Sequence, residues 1–150
     1  MRVGVISDTH GMLPASVHEV FAGVDRILHA GDVGSAAILA ELEMIAPVTA
    51  VCGNTDPPGL AFALPARISV AVGGVRFLVG HILGELVHPA VPADVDVVVF
   101  GHTHIPTAEA RNGVWYLNPG SASRSRGGHG HTVAIVEGTA GGLEVRFVTL

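Results

Sequence analysis

Seven side chains able to bind a divalent cation recur in one setting. Asp8 and His10 follow the apolar run Val3–Ile6, Asp32 follows Arg26–Leu28, and Asn54 follows Val48–Val51. His81 follows Val75–Val79, and His102 and His104 follow Val95–Phe100. Each stands at the carboxyl end of a strand-like run, the edge where open α/β sheets bind ligands. Asp8/His10 and His102/His104 are i, i+2 pairs; in extended chain such pairs share a face and can grip one ion. Gly31, Gly53 and Gly101 directly precede Asp32, Asn54 and His102, which allows sharp turns that bring those side chains inward. Two carboxylates, one amide oxygen and four imidazoles, with one carboxylate shared, make four bonds to each of two metals. The set has no thiolate, so it suits two divalent transition-metal ions, manganese first, with Zn, Ni, Fe or Co as alternatives, rather than Mg²⁺ or Ca²⁺. Four positive charges, less two carboxylates and a bridging hydroxide, leave a residual charge for a phosphate anion. Two ions roughly 3.5–4 Å apart can activate a bridging water and stabilise a phosphoryl transition state.

The elements that must position these residues change character along the chain. Pro14 can open a helix carrying Val17, Val20 and Phe21, with Gly23 as its stop. Ser35 is a plausible N-cap for a helix through Met44, which Pro47 ends. The first half therefore reads β-α-β-α-β, with parallel strands and helical crossovers. The second half is β-rich. Gly73-Gly74 and Asn112-Gly113 mark hairpins, and Thr132–Glu137 and Leu143–Thr149 close the chain around Gly141-Gly142. The fold class is α/β with an α+β tendency in the second half, in a single domain over residues 1–150.

Composition narrows the function classes. The 150 residues are 49% hydrophobic and only 14% charged, enough to fill a sizeable core. Eight arginines and no lysine face thirteen acids, for a net charge of −5. A sequence-blind nucleic-acid binder normally needs a basic stripe, although nucleic acid held as a substrate by metal ions stays open. The single cysteine, Cys52, excludes an internal disulfide framework and a cysteine-based zinc finger. The opening apolar run meets Asp8 too early for a signal peptide, and no stretch approaches the ~20 apolar residues of a membrane span. The expectation is a cytoplasmic protein with no membrane partner. The nine histidines outnumber the arginines.

In order, Asp8-Thr9-His10, Gly31-Asp32, Gly53-Asn54, His81, Gly101-His102-Thr103-His104 and Asn118-Pro119-Gly120-Ser121 resemble the motifs of the calcineurin-like metallophosphoesterases. The chain looks like the small, cap-less YfcE-type phosphodiesterases over nearly its whole length. The resemblance implies a four-layer α-β-β-α sandwich of two mixed sheets with the metals at their top. It implies that Asp8, His10, Asp32 and His104 hold one metal, and that Asp32 bridges to a second held by Asn54, His81 and His102. Asp32, Asn54 and His81 would be the catalytic residues, with a metal-bridging hydroxide attacking phosphorus in line. Asn54 could also donate to a phosphate oxygen. The implied activity is a phosphodiesterase on a small or exposed substrate. Alternatives are phosphomonoesterase activity at the same site, or a protein-binding scaffold like the retromer subunit that shares this fold.

Two positions depart from the family pattern. The segment Val79-Gly80-His81-Ile82 lacks the His-Gly of many relatives. Thr55 stands where larger phosphoesterases have a histidine able to protonate the leaving group. Asn118–Ser121 is expected to buttress the site, Arg124 and Arg126 either steer phosphate or are ordinary loop cations, and Asp56 orients its own loop or a ligand. His29 is expected beside the site or in the core, and His18 and His88 at the surface. His129 and His131 read as loop residues. Leu60, Phe62 and Leu64 could be core, pocket wall or a dimer surface, so a homo-oligomer remains open.

Overall fold

Parallel strands joined by helices build the first layer pair, as the alternation predicts. In the computed structural model, which describes residues 1–150, β1 is Arg2–Ile6, α1 Ser16–Val20 and β2 Arg26–His29. Next come α2 (Ala36–Glu43) and β3 (Val48–Ala50). β1 pairs parallel with β2, and β2 with β3. The Ser35 side chain accepts from Ala37 N at 3.2 Å, satisfying one of the free N–H groups at the start of α2.

Two helices, at 58–63 and 83–86, were not expected. The proline-rich segment after Asn54 forms α3 (Pro58–Ala63), with Pro57 extended at its N-cap and Pro58 in its first turn. The spacing of Leu60 and Leu64 is one helical turn. Both pack against the core beneath α1 and α2, while Phe62 is 95% exposed.

The second sheet begins with the hairpin of β4 (Arg67–Val72) and β5 (Val75–Gly80). The one-turn helix α4 (Leu83–Leu86) and β6 (Val97–Val99) lead to the hairpin of β7 (Thr107–Arg111) and β8 (Val114–Asn118). Both turns carry positive φ at both central residues: Gly73 +56° and Gly74 +85°, Asn112 +51° and Gly113 +83°. That is the type I′ geometry whose twist matches the strands. β9 (Thr132–Thr139) and β10 (Gly142–Thr149) then return to the first sheet, where β9 runs antiparallel to β1. The strand orders are β10-β9-β1-β2-β3 and β4-β5-β6-β8-β7, two mixed five-stranded sheets.

The core lies between the sheets. Val3, Val5 and Leu28 from one meet Phe77, Val79, Val97 and Val99 from the other, all fully buried. Phe21, Leu42 and Ile27 fill the space between the first sheet and its helices. Truncating a side chain such as Phe77 or Phe21 to Ala would cost about 3–5 kcal/mol. Beyond the second sheet, Leu86 of α4 covers Leu78 and Val98. The α-β-β-α order is therefore present, with a fourth layer only one turn thick. No helix is long and apolar enough to cross a membrane.

Within each sheet the parallel strands (β1, β2 and β3; β5, β6 and β8) end at one edge. The loops leaving those ends are stitched together by Asp8 N to Gly31 O (3.0 Å), His10 N to Asp32 O (2.9 Å) and Gly101 N to His81 O (3.0 Å).

Candidate metal centre

The ligand loops adopt a backbone that most side chains avoid. Six non-glycine residues have positive φ, and five are predicted ligands: Asp8 (55°), His10 (47°), Asp32 (52°), His102 (69°) and His104 (62°). This corrects the expectation of extended i, i+2 pairs. An extended pair would carry the chain on beyond the sheet edge; left-handed residues fold it back, which brings donor atoms of Asp8, His10 and His104 within 4.8 Å of one another. Each such residue costs on the order of 1–2 kcal/mol. The compensation is visible in the cross-loop hydrogen bonds described above.

The three glycines act in two different ways. Gly31 has φ +92°, and a Cβ there would stand 2.8 Å from His81 Nδ1. Gly53 and Gly101 need no left-handed backbone; they make room. A Cβ on Gly53 would collide with Asp32 Oδ1 and N, and one on Gly101 would collide with Ser7 Oγ and lie 2.7 Å from Asp8 Oδ2.

The side chains converge on two carboxylate oxygens. Asp8 Oδ1 lies 3.0 Å from His104 Nε2, 3.8 Å from His10 Nε2 and 4.0 Å from His81 Nε2. Asp32 Oδ2 lies 3.3 Å from His81 Nε2 and 3.9 Å from His10 Nε2. The donor atoms of Asp8, His10 and His104 all fall within 4.8 Å of one another, as do those of Asp8, Asp32 and His81. Asn54 Oδ1 and His102 Nδ1 face each other at 3.1 Å on the exposed side. All seven predicted residues thus reach one region, with Asn54 and His102 at its rim.

The other oxygen of each carboxylate is anchored. Asp8 Oδ2 accepts from Ser7 Oγ at 2.6 Å and His102 N at 3.2 Å, and Asp32 Oδ1 accepts from Thr55 N at 2.9 Å. His81 Nδ1 lies 2.7 Å from the Ala30 carbonyl, which fixes the proton on Nδ1 and turns Nε2 toward the carboxylates. Five buried side-chain polar atoms lack a hydrogen-bond partner, and four are here: Asp8 Oδ1, His10 Nε2, His81 Nε2 and His104 Nδ1. Buried polar atoms are normally satisfied. A cation among them would satisfy Asp8 Oδ1 and the inward-facing imidazole nitrogens together, so the residues present fit a metal centre.

Charge coupling follows the same geometry. Burial alone would push the Asp32 carboxyl up, but His81 and the Thr55 N–H outweigh it and hold it well below the usual carboxylate range. Burial works against the His81 cation too, yet Asp32, the Ala30 carbonyl and Asp8 raise its pKa. His10 is lowered, chiefly by burial, with Arg124 and His104 adding and the carboxylates opposing.

Supporting contacts come from residues of two kinds. Ser121 Oγ donates to Asp8 O at 2.9 Å, and Asn118 Nδ2 donates to Gly101 O at 2.8 Å, so the Asn118–Ser121 turn braces two ligand loops. Asp56 ties two more, accepting from Gly34 N at 2.7 Å and Gly53 N at 2.8 Å. Sequence reasoning missed Ser7 and Ser123; the latter also donates to Asp8 O at 2.9 Å. Their only signal is a small hydroxyl residue beside a ligand segment. His29 is fully buried against Thr9, whereas His18 pairs with Glu41 at the surface. Arg124, Arg126 and Thr55 line a cavity of about 200 Å³ with His10, Asp32 and His102. His129 and His131 are exposed.

Comparison with known proteins agrees with this geometry. Residues 1–141 match the model of the calcineurin-like phosphoesterase superfamily domain, and the chain belongs to that family. It is similar to the phosphodiesterase YfcE of Escherichia coli, 33% identical over 154 residues, covering 86% of this chain and 83% of YfcE. A solved archaeal phosphodiesterase superposes with a TM-score of 0.82 at 27% identity, over all of both chains. The zinc complex of Vps29 from Entamoeba histolytica shares the fold, with a TM-score of 0.68 at 21% identity over 99% of this chain and 98% of that one. The protein is a phosphoesterase of a metal-dependent family.

Proposed function

We propose that this phosphoesterase hydrolyses small or exposed phosphodiesters at a pair of divalent ions. Asp8, His10, Asp32 and His104 would hold one ion, and Asn54, His81 and His102 the other, with Asp32 shared. The observation that carries the reading is the pair of clusters Asp8–His10–His104 and Asp8–Asp32–His81, each with donor atoms within 4.8 Å of one another, in which Asp8 Oδ1, His10 Nε2 and His81 Nε2 are buried without a hydrogen-bond partner. Asp32 Oδ2 supports the sharing, since it lies between His10 at 3.9 Å and His81 at 3.3 Å. The nitrogen and oxygen donors, without thiolate, suit a divalent transition metal such as Mn, Fe, Zn, Co or Ni, of which manganese is tested first. When bound, the ions supply Lewis acidity to a phosphoryl oxygen and make water acidic enough to attack at neutral pH.

The chain's own groups do the rest. Asp32 enters the complex already ionised, because His81 and Thr55 stabilise its charge. Ala30 holds His81 in the tautomer that presents Nε2. Asn54, at the rim, has an amide able to donate to a phosphoryl oxygen of the substrate. The cavity has no hydrophobic lining and no covering domain, which suits an exposed diester rather than an enclosed one. Phosphomonoesters are the competing substrate class. A protein-binding scaffold on this fold would not need the donor set, which here is complete.

The test is hydrolysis of bis-p-nitrophenyl phosphate and p-nitrophenyl phosphate by metal-stripped protein resupplied with single metals, with Asp32→Ala as control. Metal-dependent diester cleavage lost in the variant is expected. Faster monoester cleavage would reassign the substrate class, and wild-type rates from Asp32→Ala at limiting metal would overturn the shared-carboxylate centre.

A further inference from the structure

Three features of the cavity bear on its substrate. First, Arg124 and Arg126 line the same wall, two residues apart, and neither has a carboxylate partner. Arg2, Arg76 and Arg111 are paired with Glu137, Asp94 and Glu109; Arg26, Arg67 and Arg146 also lack a carboxylate, but only Arg124 and Arg126 line the cavity beside His10 and Asp32. Unpaired guanidiniums facing a cavity are suited to bind carboxylate or phosphate in a bidentate manner.

Second, the Arg124 segment is fixed to the centre. Arg124 N donates to Ser121 Oγ at 2.8 Å, and that hydroxyl donates to Asp8 O at 2.9 Å. Its side chain lines the cavity together with His10 and Asp32.

Third, the two sides of Asn54 differ. The arginine cavity is lined only by polar and charged residues, so it offers no apolar wall to an uncharged group. On the other side, Asn54 and His81 open into a groove lined also by Cys52, Gly53, Ala66, Ile82 and Glu85, whose carboxylate disfavours a second anion there. A diester has two arms, and these two spaces would receive them differently. Its non-bridging oxygens share one negative charge, which the ions would already oppose. Two further cations exceed what that charge needs.

We infer that the preferred substrate is an asymmetric phosphodiester whose one arm bears a second anionic group, a carboxylate or phosphate, bound by Arg124 and Arg126. The less polar arm lies in the groove beside Ile82. This rests on the phosphodiesterase reading and adds a substrate class to it.

Two esters with the same leaving group test it: phenyl p-nitrophenyl phosphate and its 4-carboxyphenyl counterpart. Wild-type protein is expected to show kcat/KM at least about tenfold higher for the carboxylated ester, the scale of one charge-assisted contact. In Arg124→Gln/Arg126→Gln the ratio of the two should fall to about one. Arg124→Glu should drive the ratio below one, and Arg124→Lys should keep part of it. A wild-type ratio near one, or equal losses on both esters, overturns the second-anion site while leaving the phosphodiesterase reading intact. Calorimetric binding of 4-carboxyphenyl phosphate against phenyl phosphate reads the same preference without turnover. A binding preference abolished in the double variant, with neither ester hydrolysed under any metal, would support the anion site and count against the activity instead. Equal binding of both would overturn the site.

Discussion

Asn54 Oδ1 and His102 Nδ1 meet at 3.1 Å, although one follows β3 in the first sheet and the other follows β6 in the second. The contact spans the seam between the sheets at the exposed rim of the centre. If both groups hold the same ion, either substitution removes a donor from it and spares Asp8, His10 and His104. Asn54→Ala and His102→Ala should each weaken one of two manganese-binding events by more than about tenfold, with the other retained. Calorimetric titration of stripped protein measures this; equal weakening of both events would disprove the division.

Space, as distinct from donors, gives a second expectation. Gly101 lies against Ser7 and Asp8, and a methyl group there would stand 2.7 Å from Asp8 Oδ2. Gly101→Ala should displace Asp8, lowering stability by about 1–3 kcal/mol and reducing metal affinity as well. Denaturant unfolding with and without metal separates the two effects. A variant with wild-type values for both would show that the loop yields freely.

The pH dependence of the metal-free protein should carry a mark of His29. Gly31 N donates to its Nδ1 at 3.2 Å, so its own proton lies on Nε2, 2.9 Å from Thr9 Oγ1. That hydroxyl passes its hydrogen to Val33 O at 2.9 Å. Burial, with His81 adding, pushes the His29 pKa down to about 3, whereas an unfolded histidine titrates near 6.5. Between those values the unfolded chain binds more protons, so stability falls as pH falls through that window. The contribution of this residue is about 1.4 kcal/mol per pH unit. His81, with its pKa raised, acts in the opposite sense: its stabilisation is complete below about 6.5 and fades as pH rises past its folded value. Urea unfolding at about pH 7, 6 and 5 should show the acid slope in wild type and a shallower one in His29→Gln. Identical slopes would remove His29 from the account.

Thr55 supplies no proton to a departing alkoxide. Its hydroxyl lies 3.5 Å from His10 Nδ1, and a hydroxyl cannot act as an acid near neutral pH. Rates should therefore fall steeply from aryl to alkyl leaving groups, and Thr55→His should flatten the dependence. A flat dependence in wild type, with chemistry rate-limiting, would point to another proton donor.

The sheets, and the sheet edge at which the candidate ligands gather, were legible because strand alternation and turn chemistry are local. Gly73-Gly74 and Asn112-Gly113 name their hairpins by dihedral preference alone, and each candidate ligand lies within four residues of the end of an apolar run. α3 was not legible. Its prolines read as loop, and Leu60, Phe62 and Leu64 alternate like a strand, although the structure pairs Leu60 with Leu64 and leaves Phe62 in solvent. The left-handed turns at Asp8 and His10 were hidden for a different reason. Neither residue type demands positive φ, and only contacts with the Asp32 loop, distant in sequence, impose it.

The same turns set stability and activity against each other. At Asp8, His10, Asp32, His102 and His104 a glycine would accept the backbone with less strain than the residue present. Each such exchange would also delete a donor. A sturdier fold and a full donor set therefore make opposite demands on these five positions. An engineer seeking a thermostable form should treat them as fixed and look to exposed positions such as Met44 and Phe62.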